Sequence, residues 1–259
     1  MLEFDADVTR LAEDAYQGSD IARRRLAMLG ILQAGRGDRV LDIGCGPGML
    51  ALELSRAVGD AGSVLGIDPS PDMLAAARKR CGGRANVSFM DGTANALPLD
   101  DAAVDRAVAL QVFEYLEDIP GALLEARRVL DADGRLVIGN VHWGSLVWHS
   151  ADRRRMARLL EAWDSHLAEP CVPALLPRLL RDAGFVVERV EPVPVCDSTL
   201  RADGLAQMLL HLIEGFAVRN GLIEPEEARA WSEEQRALAR EGRFFFALTQ
   251  FVIAARRAD

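Results

Sequence analysis

Arg39-Val40-Leu41-Asp42-Ile43-Gly44-Cys45-Gly46-Pro47-Gly48 decides how this 259-residue chain is read. Val40 to Ile43, apolar at three of its four positions and β-branched at Val40 and Ile43, reads as a short buried strand. The strand runs straight into glycines at 44, 46 and 48, where the missing Cβ lets the backbone turn sharply and lets a ligand approach it. A helical run with Leu50, Leu52 and Leu54 follows. Strand, tight loop and helix together present backbone N–H groups to a charged small molecule.

Outward from this loop the pattern repeats. Ser63 to Ile67 predicts a second strand ending at Asp68. Ser70-Pro71-Asp72 predicts a helix start, with Ser70 as N-cap, Pro71 at the first helical position and Asp72 complementing the dipole. Val87 to Met90 predicts a third strand, and the apolar run Val104 to Val112 a fourth, covered on both faces. Asp118 is placed to cap the next helix, and Asp133-Gly134 to turn the chain into a fifth strand, Arg135 to Val141. Alternating strands and helices imply a doubly wound parallel sheet, with ligands at the C-terminal strand ends. Asp68, Asp91 to Ala94, Gln111 and His142 should converge there.

The rest is less regular. Asp5 to Leu32 predicts helix, broken near Gly18-Ser19. Helical stripes run through Met156 to Leu167 and Leu205 to Phe216, with shorter helices over Leu175 to Asp182 and after Glu224-Pro225. Phe185 to Val195 predicts a strand interrupted by Pro192 and Pro194, and Phe244 to Ala255 a last strand.

Composition narrows the partners. Half the residues are hydrophobic, and a net charge of −9 argues against nucleic acid or an anionic membrane surface as partner. There is no leader-like or membrane-spanning segment, so a cytoplasmic location is expected. Arg153-Arg154-Arg155 reads as the solvated face of a helix. Cys45, Cys81, Cys171 and Cys196 have neither disulfide-framework nor zinc spacing, and no metal is expected.

A dinucleotide loop needs G-x-G-x-x-G, whereas here the pattern is G-x-G-x-G with Met49 in the last place. Asp42 ahead of the loop suits a ligand carrying an amine, and Asp68 suits ribose hydroxyls. With Gly66-Ile67-Asp68-Pro69-Ser70 and Met73, Ala94-Asn95-Ala96-Leu97-Pro98-Leu99, Gln111-Val112-Phe113-Glu114-Tyr115, and Arg128-Val129-Leu130 leading to Gly134-Arg135-Leu136, the chain resembles class I S-adenosylmethionine (SAM)-dependent methyltransferases, in particular the ubiquinone/menaquinone-biosynthesis group.

That resemblance implies an α/β fold: a doubly wound, Rossmann-like, mostly parallel seven-stranded sheet with an antiparallel last strand and an α-helical lid. It implies one domain over 1–259, with a SAM-binding core at about 37–142, a helical segment at 1–36, and lid or acceptor-binding insertions at about 143–183 and 196–241. Gly44, Cys45, Gly46 and Gly48 would line the methionine part of SAM, with Asp42 orienting the amine and Gln111 beside it. Asp68 would take the ribose hydroxyls, with Pro69 next to it and Met73 packing on adenine. Gly92, Thr93 and Ala94 would serve the adenine end, with Asp91 an open alternative to Thr93. Tyr16 would reach the SAM carboxylate, or else be a buried helix tyrosine. The implied reaction is methyl transfer to oxygen, nitrogen or carbon of a small organic acceptor in secondary metabolism, releasing S-adenosylhomocysteine.

Acceptor contacts are expected from His142-Trp143 and Trp148-His149, the tryptophans as pocket walls. His149, then His142, are the candidate bases, against a bland reading in which both sit in a packed loop. Glu114 and Tyr115 come next, while His166 and His211 read as structural or surface residues. A homodimer is compatible with the apolar helix stripes. The alternatives are a SAM-binding enzyme of another class, such as a cyclase, or a non-catalytic SAM-binding protein.

Overall fold

The computed structural model describes residues 18–258. Tyr16 and the helix expected before Ser19 lie outside the described residues. In chain order the elements are α1 (Ser19–Leu32), β1 (Arg39–Ile43), α2 (Met49–Val58), β2 (Ser63–Asp68), α3 (Pro71–Arg80), β3 (Val87–Asp91), β4 (Val104–Leu110), α4 (Ile119–Val129), β5 (Leu130–Val141), β6 (Val147–Trp148), α5 (Arg153–Asp164), α6 (Val172–Asp182), β7 (Phe185–Asp197), α7 (Leu205–Arg219), α8 (Pro225–Arg240) and β8 (Phe246–Arg257). Short 3-10 turns lie at Phe113–Tyr115 and Trp143–Ser145.

The sheet has eight strands in the order β3-β2-β1-β4-β5-β8-β6, with β7 also paired to β8. Pairings among β1 to β5 are parallel, and β6 meets β8 antiparallel. The two-residue β6 is the strand that sequence patterning misses, because two residues carry no alternation. β7 runs unbroken through Pro192 and Pro194, whereas an interruption was expected. Proline is tolerated in a strand where its missing N–H is not needed for a ladder. Asp133-Gly134 does not separate helix from strand either. β5 begins at Leu130, and the β4–β5 register shifts between Val104↔Leu130 and Arg106↔Arg135, so the extra residues form an irregularity inside the strand.

The chain divides into two compact units. The first comprises Arg25–Val141, Cys171–Val193 and the chain from Phe251 onward. Its core follows the pleat of the strands. Leu41, Ile43, Leu136 and Ile138 join Phe113, Leu123 and Leu176 in one cluster. The alternate residues Val40, Val108 and Val137 join Met28, Leu50, Leu54 and Val58 in the other. Burying each large aliphatic side chain contributes about 1.5–3 kcal/mol.

The second unit comprises His142–Pro170, Pro194–Gln250 and the described residues up to Arg24. Here α5, α7 and α8 pack on one another. Asp152 starts α5 by accepting the Arg154 and Arg155 N–H groups at 3.1 and 3.0 Å. Arg155 and Arg158 then pair with Glu234 and Glu227 of α8, so part of the expected solvated basic face is an ion-paired seam. Gly204 gives α7 no side-chain cap, and Asp20 accepts the Leu205 N–H at 3.1 Å in its place while pairing with Arg201 at 2.6 Å. Among the described residues no helix is long and apolar enough to cross a membrane.

Candidate functional site

Strand order reverses direction of winding between β1 and β4, the switch point where open α/β sheets bind ligands. The glycine loop sits there. Gly44, Gly46 and Gly48 all have positive φ, at 65°, 50° and 76°. A Cβ on Gly44 would lie 2.5 Å from Val112 Cγ2, so this glycine lets the loop after β1 meet the loop after β4. A Cβ on Gly48 would lie 2.9 Å from that of Ala77, which brings α3 against the loop. Among the described residues a Cβ on Gly46 meets nothing within 4 Å. Gly46 is thus the glycine with open space above it.

Asp42 is buried beneath this loop, on the strand face that α2 covers. Burial first, and then the Asp68 charge, push its carboxyl up to about 8, countered by the Ala51 backbone N–H in the first turn of α2. Its Oδ2 has no hydrogen-bond partner among the described residues. A buried carboxylate oxygen without a donor is costly and suits a cationic or N–H-bearing ligand. Asp68 accepts the Gly46 N–H at 2.9 Å and the Ser70 N–H at 2.9 Å, joining the glycine loop to the start of α3. Ser70 Oγ in turn accepts the Met73 N–H at 3.3 Å, the expected N-cap, and Met73 is half-buried beside exposed Pro69.

Cys45 is buried, and burial with the Asp42 and Asp68 charges pushes its thiol well above the ordinary range. It is a neutral packing group. Gly66 makes room for it, since a Cβ there would lie 2.8 Å from Cys45 Sγ.

The loop after β3 forms a small turn, with Thr93 bridged to Ala96 and the Ala96 N–H bonded to the Thr93 carbonyl at 3.2 Å. Ala94 is buried, Gly92 half-buried and Thr93 exposed. Asp91 is exposed and pairs in register with Asp68 across β2–β3. Arg128 of α4 holds this loop through the Leu97 and Leu99 carbonyls at 3.0 and 2.6 Å, and Glu125 accepts the Leu97 N–H at 2.9 Å. This support was not legible beforehand: a charged pair three residues apart reads as an ordinary helix surface.

Gln111 has a φ of 58°. Its amide is committed within the sheet: Nε2 donates to Glu114 at 2.8 Å and Oε1 accepts the Val141 N–H at 3.0 Å. Glu114, fully buried, also accepts from Asn140 at 2.9 Å. It ties the ends of β4 and β5 as a hydrogen-bond acceptor. Tyr115 is 44% exposed.

The second unit separates the two His-Trp pairs. Trp148 is core: it packs edge-on against Trp231 and Phe246 at 5.3 and 4.9 Å and donates to Gln235 at 2.9 Å. It is not a pocket wall. His149 is exposed at the end of β6. His142 is half-buried one residue past β5, its N–H bonded to the Thr249 carbonyl at 3.0 Å. Trp143 belongs instead with Trp163, His166 and Phe216 in an aromatic cluster. Burial there pushes His166 below the ordinary imidazole value.

Comparison with known proteins agrees with this geometry. The "Methyltransferase domain" family matches residues 41–138, which span the glycine loop to β5. The chain is 34% identical over 250 residues to an uncharacterised 37.1 kDa protein of transposon TN4556 in Streptomyces fradiae, covering 93% of this chain and 69% of that one. It is 36% identical over 109 residues to 2-phytyl-1,4-naphthoquinone methyltransferase of Trichormus variabilis, covering 41% of this chain and 48% of that enzyme. Among solved structures, the [4+2]-cyclase SpnF is similar at a TM-score of 0.60 and 23% identity, covering 93% of this chain and 82% of that one. The chain belongs to the class I SAM-dependent methyltransferases.

Proposed function

We propose that the chain transfers a methyl group from SAM to a small organic acceptor. The observation that carries this reading is the buried Asp42 carboxylate, with an oxygen lacking a donor, under a turn of three left-handed glycines. That set fits the cofactor: an acid for its amine, open space at Gly46 for close approach, and Asp68 for its ribose hydroxyls. When bound, SAM supplies a methyl group activated by a positively charged sulfur.

In this reading Gly44, Cys45, Gly46 and Gly48 shape the methionine end, and Gln111 lies beside it. Asp68, Pro69 and Met73 hold the nucleoside, and Gly92, Thr93 and Ala94 close its far edge. Tyr16 is proposed for the carboxylate. Positioning and exclusion of water then supply much of the acceleration, an effect worth up to about 7–11 kcal/mol. Of the two candidate bases, half-buried His142 is better placed than exposed His149 to take a proton away from bulk water.

The acceptor determinants lie in the 143–183 and 196–241 segments of a single methyltransferase domain. A cytoplasmic location is supported by the reduced thiols of Cys45, Cys81 and Cys196. Incubation with methyl-labelled SAM and a panel of small phenols, amines and quinols tests the reading. Label in an acceptor together with S-adenosylhomocysteine supports it. Binding of SAM without label transfer in any acceptor class counts for a non-methylating enzyme.

A further inference from the structure

We propose that Asn140 is a positioning residue for the cofactor site. Through Glu114 it holds Gln111 in a left-handed conformation, and that conformation seats Val112 against Gly44 of the glycine loop. The proposal rests on the methyltransferase reading and adds to that site a residue that does not touch the cofactor.

Of the four non-glycine residues with positive φ among the described residues, Gln111 is the one placed directly after a sheet strand. A φ of 58° strains a residue that carries a Cβ, and such a conformation persists only where its surroundings impose it. The Gln111 N–H donates to the Gly139 carbonyl at 2.8 Å, which ties the backbone to β5. The side chain is held at both ends, Oε1 by the Val141 N–H at 3.0 Å and Nε2 by Glu114 Oε1 at 2.8 Å.

Asn140 completes the hold. It is fully buried near the end of β5, and its Nδ2 donates to Glu114 Oε2 at 2.9 Å. With an amide donor on each oxygen, the Glu114 carboxylate is fixed in orientation toward Gln111. A carboxylate oxygen accepts, so the amide nitrogen of Asn140 must face it. That choice leaves Asn140 Oδ1 buried without a donor among the described residues. An unmatched buried oxygen weakens the fold, and departures of this kind gather at functional sites.

The strained residue has an immediate neighbour in the site. A Cβ on Gly44 would lie 2.5 Å from Val112 Cγ2, so Val112 rests directly on the glycine loop. Relaxation of Gln111 to a negative φ would turn the chain beyond it and draw Val112 off Gly44.

Calorimetric titration of the full-length protein with S-adenosylhomocysteine tests the proposal. Gln111→Ala and Gln111→Gly lose the same side-chain bonds, but glycine alone takes a positive φ without strain. Gln111→Gly should therefore bind about five- to thirtyfold more tightly than Gln111→Ala, the ratio that left-handed strain corresponds to. Asn140→Ala should weaken binding about tenfold in the wild-type background. In the Gln111→Gly background its effect should shrink to less than about twofold, because no strained residue is left to hold. An Asn140 that only supports the fold would cost the same affinity in both backgrounds. Equal losses in the two backgrounds overturn the proposal, as do equal affinities for Gln111→Ala and Gln111→Gly. If Asn140→Ala does not fold, the two Gln111 variants decide the matter alone. Urea midpoints of the same variants without ligand should show the same non-additivity. A wild type that binds no S-adenosylhomocysteine sinks the methyltransferase reading instead, and the urea cycle then tests the hold on Gln111 separately.

Discussion

The Gly46 N–H donates to Asp68 Oδ2 at 2.9 Å, so the acid at the end of β2, proposed to take the ribose hydroxyls, also holds the glycine loop. Its other oxygen accepts the Ser70 N–H at the start of α3. Asp68→Ala should therefore lower SAM affinity and also loosen the loop. Each lost charged hydrogen bond is worth about 1.5–3 kcal/mol. Calorimetry with S-adenosylhomocysteine should show at least about a tenfold loss, with a lower melting temperature even without ligand. An unchanged melting temperature would show that the loop does not depend on Asp68.

The three loop glycines should separate under alanine substitution. Gly44→Ala places a Cβ 2.5 Å from Val112, and Gly48→Ala places one 2.9 Å from Ala77, both at positive φ. Strain and overlap together should destabilise each by about 2–4 kcal/mol. Gly46→Ala meets no neighbour within 4 Å among the described residues and bears the backbone strain, about 1–2 kcal/mol. Its larger effect should be on SAM binding, because the new methyl occupies the ligand's approach. Urea melts and cofactor titrations on the three variants check the ordering.

Asp42 gives a pH signature. Its folded carboxyl is raised to about 8, whereas in the unfolded chain it titrates near 4. Between those values the folded state holds a proton that the unfolded state has released. Stability of the ligand-free protein therefore falls as pH rises from about 4 to about 8 and levels off beyond. Asp42→Asn should flatten this window and raise stability at its upper end while weakening SAM binding. Unfolding free energies measured across the range would refute the assignment if wild type and variant ran parallel.

Glu114→Gln should behave as a disruptive change. Both carboxylate oxygens accept from amides, Gln111 Nε2 at 2.8 Å and Asn140 Nδ2 at 2.9 Å. A glutamine must turn its own NH2 toward one of them, leaving buried donors face to face at a cost of about 1–3 kcal/mol. Denaturant melts should show that loss. A neutral result would mean that a neighbouring amide flips to restore the pairing.

The strands through β4, the glycine turn and the caps at Ser70 and Asp118 were legible in the sequence, because each depends on near neighbours. Ser70 reaches Met73, and Asp118 accepts the Gly121 N–H at 2.9 Å. The Arg128 clamp on Leu97 and Leu99 was not legible, because its partners lie about thirty residues away along the chain. Nor was the reach of β7 through Pro192 and Pro194, which depends on what a strand pairs with.

The order of residues around Gly44 by itself determined a strand–loop–helix unit with an acid on either side of the loop. Period-two burial, positive-φ glycines and helix caps are properties of short stretches. Tertiary structure decided which side chains those stretches leave available. It paired the Gln111 amide with Glu114 and with the Val141 N–H at the ends of β4 and β5, and enclosed Trp148 against Trp231. It joined Trp143 to His166, more than twenty residues on. Hydrogen-bond satisfaction and ring packing join residues distant in sequence, and they appear only when the chain has closed on itself.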